Sequence, residues 1–291
     1  MNLSRKNILP LFLAALSLFP VQVFADVKDT PPFFKVHLNG NTMYLLGSVH
    51  VGKADFYPLT PTIQQHFNKS NTLIVEAIPS KNDTKLLTQY TDMPAKDKKI
   101  DKLLKQYCED KIQFCKVIEN LPPWLQAAQI TLFRLSGKGF SPQFGIDAYF
   151  LKNAQHKQIE QLESMEYQFS LLNSLSSDTQ WAMVIEAIKG EDSKLSNMFN
   201  LWRNGDLNGL ALLTESELTQ NGNDELIDKM LWQRNRSMSD KLIELLSEKN
   251  QQNSFFVVVG AVHLVGQNSI NQFLKQQGAE VMYCWPNLCE Q

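Results

Sequence analysis

Two stretches of this chain share one local design: Leu45-Leu46-Gly47-Ser48-Val49-His50-Val51-Gly52 and Val258-Val259-Gly260-Ala261-Val262-His263-Leu264-Val265-Gly266. Each is an apolar run, then Gly-x-x-His, then another glycine. Glu76 closes the apolar run 72–75, and Glu163 follows the run 158–162. Two histidines with one or two carboxylates suit a divalent metal ion, and manganese, iron, cobalt and zinc all accept such ligands. Water at an open position on such an ion becomes a nucleophile near neutral pH. A spare carboxylate can then serve as general base. A lone histidine after a strand is ordinarily structural; the repetition of the whole device is what points to a functional pair. Glu76 ends an otherwise apolar run, where an unpartnered charge is costly to bury. His37, His66 and His156 read as surface residues, as do Lys53 and Asp55.

The elements that must position these residues follow from periodicity. Residues 33–38 and 42–46 are strand-like, and Asn39-Gly40 between them is a two-residue hairpin turn. Thr60-Pro61 supplies an N-cap and an N1 proline for a helix carrying Ile63 and Phe67. With the strand at 72–75 this makes a β-α-β unit, which predicts a parallel pair. From 98 to 138 the spacing is helical, Asp147 is placed to cap a helix, and 158–162 reads as a short strand. Residues 166–248 are again helical, with a stop at Asn204-Gly205 and an amphipathic stretch at 225–246. The end returns to a buried strand at 255–259, a helix at 269–277 and a last strand at 281–285. The expected class is therefore α/β, a mixed and mostly parallel sheet built from both chain ends. A largely helical insertion occupies about 98–250 of a domain spanning 26–291. In such sheets ligands gather beyond the carboxyl ends of strands. His50, Glu76, Glu163 and His263 all fall at such ends, and glycines 47 and 260 are expected to let the chain turn sharply there.

These motifs, in this order, resemble the TraB/GumN family, which includes the pheromone-shutdown proteins and is similar to the Tiki metalloproteases. The resemblance rests on Leu-Leu-Gly-Ser-Val-His-Val-Gly, then Asp55-Phe56-Tyr57-Pro58-Leu59, then Leu-Ile-Val-Glu-Ala. Gly145-Ile146-Asp147, Leu162-Glu163 with Gln168, Trp202 and Gly205, Arg234-Asn235 and the second Gly-x-x-His agree with it, so it covers almost the whole chain. It implies a fold related to the erythromycin-esterase and ChaN-like proteins. It implies an active centre made of His50, Glu76 and His263, and, from the Tiki branch, peptide cleavage supported by manganese or cobalt. It makes Arg234 a candidate for binding a substrate carboxylate or transition-state charge. Asp147, Glu163 and Asn235 are candidates for supporting the ligands from behind.

Residues 1–25 have the pattern of a cleaved secretory signal: Arg5 and Lys6, an apolar run interrupted by Pro20, then Val23-Phe24-Ala25. The run is too short for a membrane anchor. The mature chain is expected in the periplasm or beyond. Its cysteines, Cys108, Cys115, Cys284 and Cys289, then favour disulfides. Cys284 and Cys289 flank a turn. Cys108 and Cys115 would lie about 10 Å apart on one unbroken helix, so either the helix breaks near Glu109-Asp110 or they pair elsewhere. A zinc site is the rival, though neither pair has Cys-x-x-Cys spacing. A formal net charge of -2 without charge runs gives no reason to expect nucleic acid or anionic lipid as partner. The leading expectation is an exported metal-dependent hydrolase acting on peptides. The alternatives are a non-catalytic binding protein that sequesters a peptide signal, haem or iron, and a purely structural role.

Overall fold

A computed structural model of the protein describes residues 29–90, 92–219, 224–248, 254–285 and 289. The expected signal sequence at 1–25 lies outside the described residues.

The hairpin is β1 (Phe33–Leu38) and β2 (Asn41–Ser48), with Leu38 opposite Asn41. Asn39 and Gly40 both have positive φ, 52° and 85°, the combination a tight two-residue turn demands. Next come α1 (Pro61–Lys69) and β3 (Thr72–Val75). Thr60 takes the N-cap position of α1 but makes no side-chain cap bond; its buried hydroxyl finds no protein partner. The helical stretch that follows comprises α2 (Asp83–Leu87), α3 (Lys98–Cys108), α4 (Ile112–Ile118), α5 (Pro123–Ser136) and α6 (Ile146–Asn153). After β4 (Gln158–Gln161) come α7 (Met165–Asn173), α8 (Ser177–Lys189), α9 (Asp192–Arg203) and α10 (Leu207–Leu218). Then α11 (Glu225–Ile227) runs through a π-helical turn, Asp228–Trp232, into α12 (Gln233–Ser247). The chain closes with β5 (Phe255–Gly260), α13 (Ile270–Gln276) and β6 (Glu280–Tyr283).

The strands form one mixed sheet of order β4-β3-β5-β2-β1-β6. β4, β3, β5 and β2 run parallel, and β1 alone is antiparallel to both of its neighbours. The fold is α/β, mostly parallel, as the element order predicts. One pairing differs. β2 and β3 are parallel but not adjacent, because β5 inserts between them and bonds to both. All six residues of β5 are buried, and so apolar a strand belongs at the centre of a sheet covered on both faces.

Alternation divides the core. Leu46, Leu73, Val75, Phe256 and Val258 face one apolar layer with Phe67, Phe150 and Trp202. Met43, Leu45, Ile74, Val257 and Val259 face the other, with Met238 and Leu242 of α12 and Ile270 and Leu274 of α13. Away from the sheet, α4, α5 and α8 share a small cluster around Ile130 and Trp181.

Both cysteine questions are settled. Cys108 pairs with Cys115 and Cys284 with Cys289, leaving no free thiol for zinc. The helix breaks between α3 and α4, which brings the first pair to a Cα–Cα distance of 5.9 Å. Among the described residues no helix is long and apolar enough to cross a membrane.

Candidate functional site

The parallel registers bring the strand ends to one edge. Ser48 of β2 stands opposite Gly260 of β5, and Val75 of β3 pairs with both Val258 and Gln161. The ladder between β3 and β4 continues one step beyond the strands, since Glu163 N–H donates to the Glu76 carbonyl at 2.7 Å. Glu76, Glu163 and His263 thereby converge, all buried.

The glycines of the repeated motif serve a purpose other than a sharp turn. Neither has positive φ, and Gly260 is at −51°. What they provide is room. A Cβ on Gly47 would lie 3.0 Å from the Ala261 Cα and from the Pro32 Cβ. A Cβ on Gly260 would lie 3.1 Å from Glu76 Oε1. The two Gly-x-x-His segments thus pack against one another, and the indole of Trp202 fastens the first by donating to the Gly47 carbonyl at 2.8 Å.

At the centre is Arg234, the second residue of α12, just beyond the π turn, an irregularity common at functional sites. Its Nε and Nη2 donate to Glu163 at 2.8–3.1 Å, Nη2 also donates to Glu76 Oε2 at 3.1 Å, and Nη1 reaches the Met230 carbonyl at 2.9 Å. Gln168 donates to the second Glu163 oxygen at 3.1 Å. Burial opposes the charge of Arg234, but its hydrogen bonds to Glu163 and the two carboxylate charges raise its pKa still further. The family resemblance made Arg234 a candidate for binding substrate. Its geometry gives it another task, because most of its donors are committed to two buried carboxylates.

Glu76 Oε1 accepts the Gly260 N–H at 2.5 Å. Burial alone would raise its pKa; the surrounding His263, His50 and Arg234, together with that N–H, hold it down at about 2. His263 is buried, which lowers its pKa to about 4, so its imidazole is neutral near pH 7. Asn235 Nδ2 donates to the Asn268 carbonyl, so its Oδ1 is the atom that faces His263 Nδ1, at 2.5 Å. That network assigns the proton to Nδ1. Nε2 is left with a lone pair, 3.4 Å from Glu76 Oε1.

His50 lies on the rim with its side chain 71% exposed. Its Nδ1 donates to Asp147 Oδ2 at 2.9 Å, and the charge of Asp147 raises its pKa to about 9. Asp147 does not cap α6, since Gly145 holds that position. Its carboxylate instead links His50 to the buried Ser48, whose hydroxyl donates to Oδ1 at 2.7 Å. Ser48 and the Gly260 N–H were missed from sequence. Ser48 lies inside the first Gly-x-x-His motif, where its position next to the glycine was the available clue. A backbone N–H leaves no clue at all.

Among the described residues, no three His, Cys, Asp or Glu side chains stand ready to enclose a metal ion. A pair fits one. Two N/O donors on one ion at 2.0–2.2 Å lie about 3.3 Å apart in tetrahedral geometry, close to the separation of His263 Nε2 and Glu76 Oε1. Both histidines also have Nδ1 bonded to an oxygen, the arrangement that frees Nε2 for a ligand bond.

No solved structure matches this chain. The protein named "Uncharacterized protein YbaP" in Escherichia coli (strain K12) is 26% identical over 263 residues, covering 84% of this chain and 93% of the relative. The protein of the same name in Shigella flexneri matches to the same extent. The model of the TraB/PrgY/gumN family matches residues 32–282, from the start of β1 to the last strand and through every residue of the site. The chain belongs to the TraB/PrgY/gumN family.

Proposed function

We propose that this protein is an exported metal-dependent hydrolase whose substrates are peptides. One observation carries the reading. An imidazole nitrogen and a carboxylate oxygen stand 3.4 Å apart with no hydrogen bond between them, inside a buried group where two carboxylates face one guanidinium. Such an arrangement calls for a cation.

His263 and Glu76 would hold the ion, with His50 as the third donor from the rim. A divalent ion there would acidify a bound water and polarise a carbonyl. Glu76 acts in this reading as a ligand, because Arg234 and the Gly260 N–H hold its carboxylate in place with Oε1 3.4 Å from His263 Nε2. Arg234 keeps Glu76 ionised and fixed, and Glu163 anchors Arg234. Asn235 holds the His263 proton on Nδ1. His50 must release its extra proton before it can ligate. Manganese, cobalt, zinc and iron all accept these donors. Two disulfides and the amino-terminal pattern support a site of action in the periplasm or outside the cell.

The test is elemental analysis of the purified mature protein beside a His50→Ala/His263→Ala variant of confirmed fold, followed by peptide-library cleavage with the ion found. A near-stoichiometric transition metal lost in the variant, together with cleavage, is expected. Metal without cleavage moves the reading to a binding protein. No metal after incubation with all four ions removes the hydrolase.

A further inference from the structure

A hollow of about 310 Å³ opens among the loop after β2, the segment after α5 and the end of α9. Its floor is aromatic: Phe140 and Phe199 stack at 4.1 Å, and Phe56 lies against both. Three cations line it, Lys53, Lys138 and Arg203, against a single lining carboxylate, Asp55. The Lys53 ammonium sits 4.4 Å above the Phe140 ring and, among the described residues, has no carboxylate partner. Arg203 is held from behind by Asp29 at 2.8 Å, while its outer nitrogen pairs with an Asp55 that is 62% exposed. Lys138 pairs with Asp192, itself 56% exposed.

The magnitudes favour a ligand. Exposed ion pairs such as those of Asp55 with Arg203 and of Asp192 with Lys138 are weak, so a ligand carboxylate can take the place of Asp55 beside Arg203 and share Lys138 with an Asp192 that Arg134 also holds. The aromatic floor lowers the local dielectric and strengthens each remaining charge contact. The volume is at the lower end of the range for small-molecule sites. We propose that this hollow is an anion-binding site for small organic ligands bearing carboxylate or phosphoryl groups. It needs no metal and stands apart from the hydrolase reading. Lys53 lies on the same loop as His50, within about 11 Å of chain, so an acidic group held here lies along the rim of the candidate centre.

The experiment is a heteronuclear NMR titration of the mature protein with glutarate and, separately, with inorganic phosphate. Saturable shifts are expected in the backbone amides of 53–56 and 138–140 with at least one of the two, and which one responds separates a carboxylate from a phosphoryl site. Glutaramide, of the same shape without charge, should give none. Lys53→Glu and Lys138→Glu should each weaken binding at least tenfold while the remaining amides stay in place. Absence of saturable shifts with both anions at millimolar concentration would overturn the proposal. So would affinity unchanged in both charge-reversal variants.

Discussion

The Nε2 atom of His263 and the Oε1 atom of Glu76 face each other at 3.4 Å across the tips of β5 and β3, and each is pinned from its far side. Asn235 fixes the imidazole, while Arg234 and the Gly260 N–H fix the carboxylate. Neither side chain can turn away without breaking a buried hydrogen bond. Their neighbours are therefore the places to perturb.

Arg234→Met leaves Glu76 and Glu163 buried without a counter-charge. Removing one partner of such a group costs about 3–5 kcal/mol, and urea unfolding should show that loss. Arg234→Lys should recover little of it, since a point charge cannot reproduce the fork to two carboxylates. Adding Glu76→Gln and Glu163→Gln to Arg234→Met should restore stability. A loss below about 1 kcal/mol in the single variant would mean the carboxylates are not held as described.

Asn235→Ala frees the His263 ring to place its proton on either nitrogen. Loss of such a support typically costs about 10–100-fold in metal affinity. Chelator competition should show that weakening, and nitrogen shifts of the ring should show mixed tautomers where the wild type has Nδ1–H alone. A wild-type ring with its proton on Nε2 would contradict the network.

His50 provides the pH dependence. Its pKa is raised from 6.5 to about 9, chiefly by the charge of Asp147. A raised pKa contributes stability that is fully present below 6.5 and is lost as pH rises through about 9. Ligation requires the neutral ring, so metal affinity should climb with pH over the same window and then level off. Proton NMR should find the His50 ring titrating near 9 in the wild type and close to its ordinary value in Asp147→Asn. The same ordinary value in the wild type would rule out the pairing.

Gly47→Ala puts a methyl carbon 3.0 Å from the Ala261 Cα and the Pro32 Cβ, a backbone atom and a rigid ring that cannot swing aside. Overpacking of this kind costs about 1–3 kcal/mol. It should separate the two Gly-x-x-His segments, lowering the melting temperature and weakening metal binding together. An alanine variant with unchanged melting would show that the segments can move apart freely.

Much of this protein was legible in its sequence, because the features concerned are local. The Asn39-Gly40 turn, the apolar run of β5 and the stop at Gly205 depend on backbone preference and periodicity over a few residues. The two Gly-x-x-His motifs identified the residues at the strand ends. Four features waited on the tertiary structure, each for a nonlocal reason. The β-α-β pattern fixed the direction of β3 but not its neighbour, since hydrogen bonding lets any parallel strand of matching length insert, and β5 did. Asp147 looked like a helix cap because its surroundings in sequence are those of a cap; its real partners, Ser48 and His50, are about a hundred residues away. The resemblance made Arg234 a candidate for meeting substrate, and only packing placed Glu76 and Glu163 against it. Lys53 and Asp55 looked like solvated surface, and only the folding of α9 against their loop turned that surface into a lined hollow. Residue types and spacing thus determined which chemical groups this chain owns. Packing across the sheet decided which of them are charged, which are neutral and which face one another.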